Sequence, residues 1–265
     1  MMQYAEGKML AEIEGGVGLV TFNQPEKRNA MSVGMWQGLV EILDAFEADD
    51  EVRVVILTGA GHKAFVSGAD ISQFEQQRAD SNAQADYDRV TSAGRARLAG
   101  FAKPVIARIR GFCLGGGLGL AMQADLRIAS ADAQFGIPAA RLGIAYGFDM
   151  VSKLVSLVGP AHARTLLYTG QRIDAAEAER IGLVNRTVAE EDLIDTVLDL
   201  ARTLAENAPL TLRAAKLAVG EAVKVESERN LAAVDAAIAA CFDSADYREG
   251  RTAFMEKRPP RFLGR

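Results

Sequence analysis

The stretch Gly111 to Leu120, G-F-C-L-G-G-G-L-G-L, constrains this chain more than any other. Before it, Val105-Ile106-Ala107-Arg108-Ile109 is a short β-branched run that reads as a buried strand, and after it Ala121-Met122-Gln123-Ala124-Asp125 continues with helical composition. The glycines therefore fall where a strand turns into a helix. The first amides of a helix have no intrahelical acceptor and carry the positive end of its dipole, and residues without a Cβ let a ligand oxygen approach them. Two readings follow. One is a backbone-lined site for a negative or polarised oxygen; the other is a tight turn that needs positive φ.

Composition narrows the chemistry. With 265 residues, 49% of them hydrophobic and 25% charged, the chain is long enough to bury a full core. A net charge of −5 and the absence of any Lys/Arg block longer than two residues leave nothing to neutralise a run of phosphates, so nucleic acid is not expected as a partner. Two cysteines, Cys113 and Cys241, and two histidines, His62 and His162, make neither a disulfide framework nor a ligand cluster, and no metal is expected. The N-terminus lacks a basic region followed by an apolar core, and no 18-residue apolar run occurs. A cytoplasmic protein without membrane contact is the expectation.

Along the chain, Met9 to Ile13 and Val17 to Phe22 flank Glu14-Gly15-Gly16 and read as a β-hairpin. Ser32 is a candidate N-cap for an amphipathic helix from Val33 to Asp49, with Met35, Leu39, Ile42, Leu43 and Phe46 on one face. Val52 to Thr58 is a buried strand, and Ala64 to Ile71 joins a small-residue strand to a second glycine turn. Strand, strand and helix recur, which predicts an α/β fold of stacked ββα units. Ile71 to Arg97 is polar and helix-favouring and carries no apolar stripe that demands burial, so mobility is a further expectation. Helices are expected at Gly147 to Val158 and Ala161 to Thr169, and Asp174 to Glu177 has the spacing that starts another. From Glu190 onward only helical pattern remains. The chain thus divides into 1–189, a ββα core carrying the site, and 190–265, a helical region that must pack on that core or on another subunit.

Three segments together resemble the crotonase superfamily: Pro25-Glu26-Lys27-Arg28-Asn29-Ala30-Met31-Ser32, Phe65-Val66-Ser67-Gly68-Ala69-Asp70-Ile71, and Gly115-Gly116-Gly117 with Leu120-Ala121 and Asp125. The resemblance, to enoyl-CoA hydratases and isomerases in particular, runs on through Phe135-Gly136-Ile137-Pro138, Leu142-Gly143, Leu167 to Gly170 and Phe254 to Arg258. It implies a crotonase-like spiral of ββα units whose C-terminal helices build a homo-trimer or dimer of trimers. By position, Ala69 and Gly116 match the residues whose amides bind an acyl-CoA thioester carbonyl and stabilise the enolate. Lys27, Arg28, Ala30, Ser67, Asp70 and Ile71 match loops that contact pantetheine and adenine. Phe254 and Lys257 match a segment that reaches the nucleotide, often from a neighbouring subunit. Coenzyme A is part of the substrate, and no tightly bound cofactor is implied. Asp125 is matched to a structural position.

The departures are as informative. The two glutamates of a resembling hydratase fall at Gly119 and Ala139, neither of which can carry a proton, so putting glutamates back at both is expected to raise hydration. In Leu142-Gly143-Ile144-Ala145-Tyr146-Gly147-Phe148-Asp149, Tyr146 falls where a decarboxylating branch carries a tyrosine, and Asp149 is the carboxylate of this turn. A phenol with the ordinary pKa of about 10 can protonate an enolate, while a carboxylate of ordinary pKa about 3.9 accepts protons. Tyr146 and Asp149 are therefore candidate catalytic residues; a packing aromatic and a charge favoured by a helix dipole are the other readings. Hydratase or isomerase chemistry with displaced groups, decarboxylation or hydrolysis on the same scaffold, and acyl-CoA binding without catalysis all stay open.

Overall fold

The computed structural model describes residues 1–70 and 81–265, with 81–84 as backbone only. The hairpin forms from β2 (Met9–Glu14) and β3 (Val17–Phe22), with β1 (Met2–Tyr4) added at its edge. From there each strand pair splits between two sheets. β4 (Val54–Gly59), β6 (Val105–Ile109) and β8 (Leu126–Ser130) extend the large sheet in parallel beside β3, and β11 (Arg186–Val188) closes it. Their successors β5 (Ala64–Val66), β7 (Phe112–Leu114) and β9 (Gln134–Gly136) run parallel in a second, four-stranded sheet, completed by the antiparallel β10 (Arg172–Asp174). Each strand pair thus adds one strand to each sheet, the stacked ββα arrangement that the sequence pattern predicts.

Apolar runs explain which strands are central. β4 reads V-V-I-L-T-G and is covered on both faces, as strands of a parallel sheet are. Helix α1 (Val33–Ala48) buries Met35, Trp36, Leu39, Ile42, Leu43 and Phe46 on one face, and Ser32 caps it by accepting from the Met35 amide at 3.2 Å. Its far end is closed by Lys103, a buried lysine whose Nζ donates to the carbonyls of Phe46 and Asp49 at 2.6 Å each. On the other side of the large sheet, α7 (Leu193–Glu206) packs Leu193, Val197, Ala201 and Ala205 onto Val17, Val54, Ile56, Ile106 and Ile128.

Of the helix-favouring stretch Ile71 to Arg97, 71–80 lie outside the described residues and 81–97 are helical, as the composition predicts. α2 (Ser81–Ala99) packs on α1 without an apolar stripe: Gly94 makes room for the Trp36 ring, Leu98 is buried, and Arg97 bonds Asp44, Glu47 and the Leu43 carbonyl. The segment Phe148–Thr169 forms α5 and is broken inside by Gly159, at φ 71, and Pro160, so it is two helical pieces as the sequence predicts. After the short α6 (Ala175–Arg180), capped by Asp174, and α7, helices α8 (Pro209–Ala222), α9 (Leu231–Asp243) and α10 (Ala245–Glu256) form the C-terminal region. The chain end folds back along α10, where Asp246 accepts from the amides of Leu263 at 2.6 Å and Gly264 at 2.8 Å.

Candidate active site

The two glycine turns meet because β5 and β7 are parallel neighbours. Val66 pairs with Cys113; three residues beyond each stand Ala69 and Gly116. Ala69 thus stands three residues past the end of β5 and Gly116 two past the end of β7, across a pairing whose register shifts between Ala64 and Val66. The loop 67–70 is held to the loop before α1 by Met31, whose amide donates to the Gly68 carbonyl at 2.8 Å and whose carbonyl accepts from the Asp70 amide at 3.0 Å. That bridge uses the groups flanking Ala69 and turns the Ala69 amide to the opposite side. Gly116 is the first residue of helix α3 (Gly116–Ala121), where amides have no intrahelical acceptor. Among the described residues neither amide meets a hydrogen-bond acceptor.

The three glycines have three separate reasons to lack a side chain. Gly115 sits at φ 54 and ψ −123, a conformation open to glycine, and its amide donates to the Gly136 carbonyl at 2.8 Å. A Cβ on Gly116 would stand 4.0 Å from the Ala69 nitrogen, in the space between the two amides. A Cβ on Gly117 would collide with the Val66 carbonyl, so this glycine lets α3 sit directly on β5. Such a pair of amides can donate two hydrogen bonds to a single oxygen.

Around this gap the side chains are those of a dry site. The Tyr146 hydroxyl lies 3.1 Å from the position a Cβ on Gly115 would take, and its ring is half-buried against the core. Ala139, buried at the start of the short helix α4 (Ala139–Leu142), follows Pro138, whose Cδ is 4.0 Å from the same point on Gly115. Position 119 is taken as well, although by another residue. The thioether of Met150 fills the space where a side chain at Gly119 would begin, its sulfur 3.1 Å from the absent Cβ and its methyl closer still. The sequence reading missed Met150; the only available sign was a bare glycine on a helix face, which needs some neighbour to fill it.

Asp149 lies in the first turn of α5, half-exposed, and forms an ion pair at 3.1 Å with Arg95 of α2. It therefore ties two helices together, whatever else it does. Lys27 and Asp70 pair at 2.8 Å across the two loops, with Asp70 buried; Ser67 donates its amide to the Arg28 carbonyl at 3.1 Å. Ala30 is buried beneath them. Arg28 sits at φ 53 and lays its guanidinium 5.2 Å from the Phe112 ring centre, while Arg172 approaches the same ring at 4.9 Å. Asn29 is the buried staple of this loop: its Nδ2 donates to the carbonyls of Ala60 at 3.0 Å and Ala64 at 2.8 Å, and its Oδ1 accepts from the Gln24 amide. Lys27, Arg28, Ala30, Ser67 and Asp70 are thus brought to one place beside Ala69. Ile71 lies outside the described residues.

Phe254 and Lys257 sit apart, exposed at the end of α10, a helix packed against α9. Asp125 is fully occupied by structure, accepting from the Val105 amide at 2.7 Å and pairing with Lys216 at 2.9 Å. Cys113 is buried, and burial pushes its thiol well above the usual range, which leaves it a core residue. Among the described residues, no three His, Cys, Asp or Glu side chains gather as metal ligands, and no helix is long and apolar enough to cross a membrane.

The family model described as enoyl-CoA hydratase/isomerase matches residues 12–265. The chain is 39% identical over 250 residues to a short-chain-enoyl-CoA hydratase of Clostridium acetobutylicum, covering 94% of this chain and 95% of the relative. It is 38% identical to a crotonyl-CoA hydratase of Syntrophomonas wolfei, with 97% and 98% covered. A solved structure from Magnetospirillum magneticum, described as an enoyl-CoA hydratase/carnithine racemase, superposes with a TM-score of 0.91 at 34% identity over 97% of this chain and 96% of the other.

Proposed function

Because the chain belongs to the enoyl-CoA hydratase/isomerase family, we propose that it is an acyl-CoA thioester enzyme whose oxyanion hole is the amide pair of Ala69 and Gly116. The observation that carries this reading is the closeness of the two amides beyond Val66 and Cys113, neither of them bonded to an acceptor among the described residues. A thioester carbonyl oxygen between them gains two hydrogen bonds that shorten as it becomes an enolate, which lowers the barrier rather than merely binding the substrate. Lys27, Arg28, Ala30, Ser67 and Asp70 form the adjoining wall for pantetheine and adenine, and Phe254 and Lys257 serve the nucleotide from a neighbouring subunit of a trimer or dimer of trimers.

Ordinary hydration is not the reaction this site suits, since Gly119 and Ala139 offer no group to hold or activate water. The Tyr146 hydroxyl beside Gly115 favours a second reading on the same scaffold, loss of carbon dioxide from a thioester carrying a carboxylate on its α carbon. There the breaking carbon–carbon bond supplies the electron pair of the enolate, carbon dioxide leaves, and the only proton needed is one delivered to the α carbon. Calorimetry with butyryl-CoA and with free butyrate tests the shared premise: the thioester is expected to bind at least tenfold more tightly, and equal affinities overturn it. Product analysis by mass spectrometry after incubation with crotonyl-CoA and with malonyl-type thioesters separates the reactions, and tight binding without turnover of either would mark a binding protein.

A further inference from the structure

We infer that Met150 selects the acyl chain: its methyl closes the space beside the first carbons of a bound acyl group, so straight chains enter and chains branched at the α or β carbon are turned away. This rests on the reading of Ala69 and Gly116 as the thioester site. Gly119 lies one turn beyond Gly116 in α3, about 4.5 Å further along the axis. Side chains on a helix tilt toward its N-terminus, so whatever occupies the slot at 119 leans over the Gly116 amide and stands next to an acyl group whose carbonyl that amide holds. Here the occupant is supplied from outside α3. Met150 is 5% exposed, and its sulfur and methyl take the place of the missing side chain.

The chemistry of the occupant matters as much as its volume. A thioether offers no useful acceptor to a water molecule and packs readily against hydrocarbon, so the slot is both filled and dry. Tyr146 fills the neighbouring position over Gly115, and the two side chains come from one segment, 146–150, at the entry to α5. The same segment therefore places a hydroxyl near the carbonyl end of the site and an apolar stop beside the next carbons.

Calorimetry with butyryl-CoA and isobutyryl-CoA tests the assignment, because the two ligands share every atom type and differ in one branch. The parent protein is expected to prefer butyryl-CoA, and Met150→Ala is expected to raise the affinity for isobutyryl-CoA relative to butyryl-CoA about tenfold, the scale on which hydrophobic pockets read one methyl group. Met150→Leu, which keeps the volume, is expected to keep the parental ratio. Should Met150→Ala fail to fold, Met150→Val carries the same comparison with a smaller expected shift. A ratio unchanged within twofold in the shortened variant overturns the assignment while leaving the thioester site intact. Failure of the parent to bind either thioester overturns both.

Discussion

The hydroxyl of Tyr146 rests 3.1 Å from where a side chain on Gly115 would begin, so a phenol and a glycine-only turn share one wall of the same small space. If that phenol delivers the proton to the enolate, Tyr146→Phe lowers the turnover constant at least tenfold with thioester affinity changed less than twofold. Steady-state kinetics together with calorimetry measures both. A loss confined to affinity would assign the ring to packing.

Hydration of crotonyl-CoA is expected to be slower than in a hydratase with both carboxyl groups by about two to four orders of magnitude. The sequence alone suggests that Gly119→Glu with Ala139→Glu restores it. The structure adds a condition, because a side chain at 119 must displace the Met150 methyl, the far end of a flexible side chain. The double variant is expected to hydrate faster than the parent once the Met150 side chain swings aside, and adding Met150→Ala is expected to raise the rate further. Ultraviolet loss of the enoyl thioester reads the rate directly.

Lys103 closes the C-terminal end of α1 from a buried position, and its pKa is lowered chiefly by that burial. Replacing it with methionine leaves two carbonyls without donors. Lys103→Met is expected to cost about 1–3 kcal/mol in urea unfolding, followed by the fluorescence of Trp36, the single tryptophan. No loss of stability would mean that water replaces the ammonium at both carbonyls.

The Arg258 guanidinium, seconded by the Arg261 amide, holds the Glu249 carboxyl at about 2, against an ordinary value of 4.5. A depressed carboxylate favours the folded arrangement above its ordinary value and ceases to do so as the pH falls through its folded one. The strap formed by the chain end is therefore expected to loosen between about pH 4.5 and pH 2. Hydrogen exchange at the Arg261 amide should show protection falling in that window, and in Glu249→Gln the protection should be low already at neutral pH.

Leu231, Ile238, Phe242 and Phe254 are exposed on the C-terminal helices, and between α8, α9 and α10 lies an apolar groove of about 700 Å³. Burial of this surface in a trimer or dimer of trimers predicts a mass three or six times 28.3 kDa in light scattering. A monomer at micromolar concentration would contradict it.

Legibility in the sequence followed the range of the forces involved. The Ser32 cap, the hairpin at Gly15-Gly16, the Asp174 cap and the break at Gly159-Pro160 are each decided within a few residues, and all could be read directly. The packing of α2 on α1 could not, because it depends on the absence of a side chain at Gly94 opposite Trp36 rather than on any apolar stripe. Met150 stayed hidden for the same reason, being defined by an empty position 31 residues earlier. Asp149 could be read as a helix charge but not as the partner of Arg95, 54 residues away. Local chemistry announces itself in a sequence; complementarity between a gap and its filler does not.

The pairing of Val66 with Cys113 and the bridge from Met31 to the 68–70 loop together set how far apart the Ala69 and Gly116 amides stand. Two donors about one strand spacing apart, roughly 4.8 Å, can each reach one oxygen at about 2.9 Å while subtending roughly 110° at it, close to the angle between the lone pairs of a carbonyl. The sheet serves as a gauge block for the hydrogen-bonding pair. Within the described chain between the two exits, α2 enters nowhere into that dimension. Its contacts are with α1 and Asp149 instead, so substitutions along its outer face leave the grip on the carbonyl with its calibration.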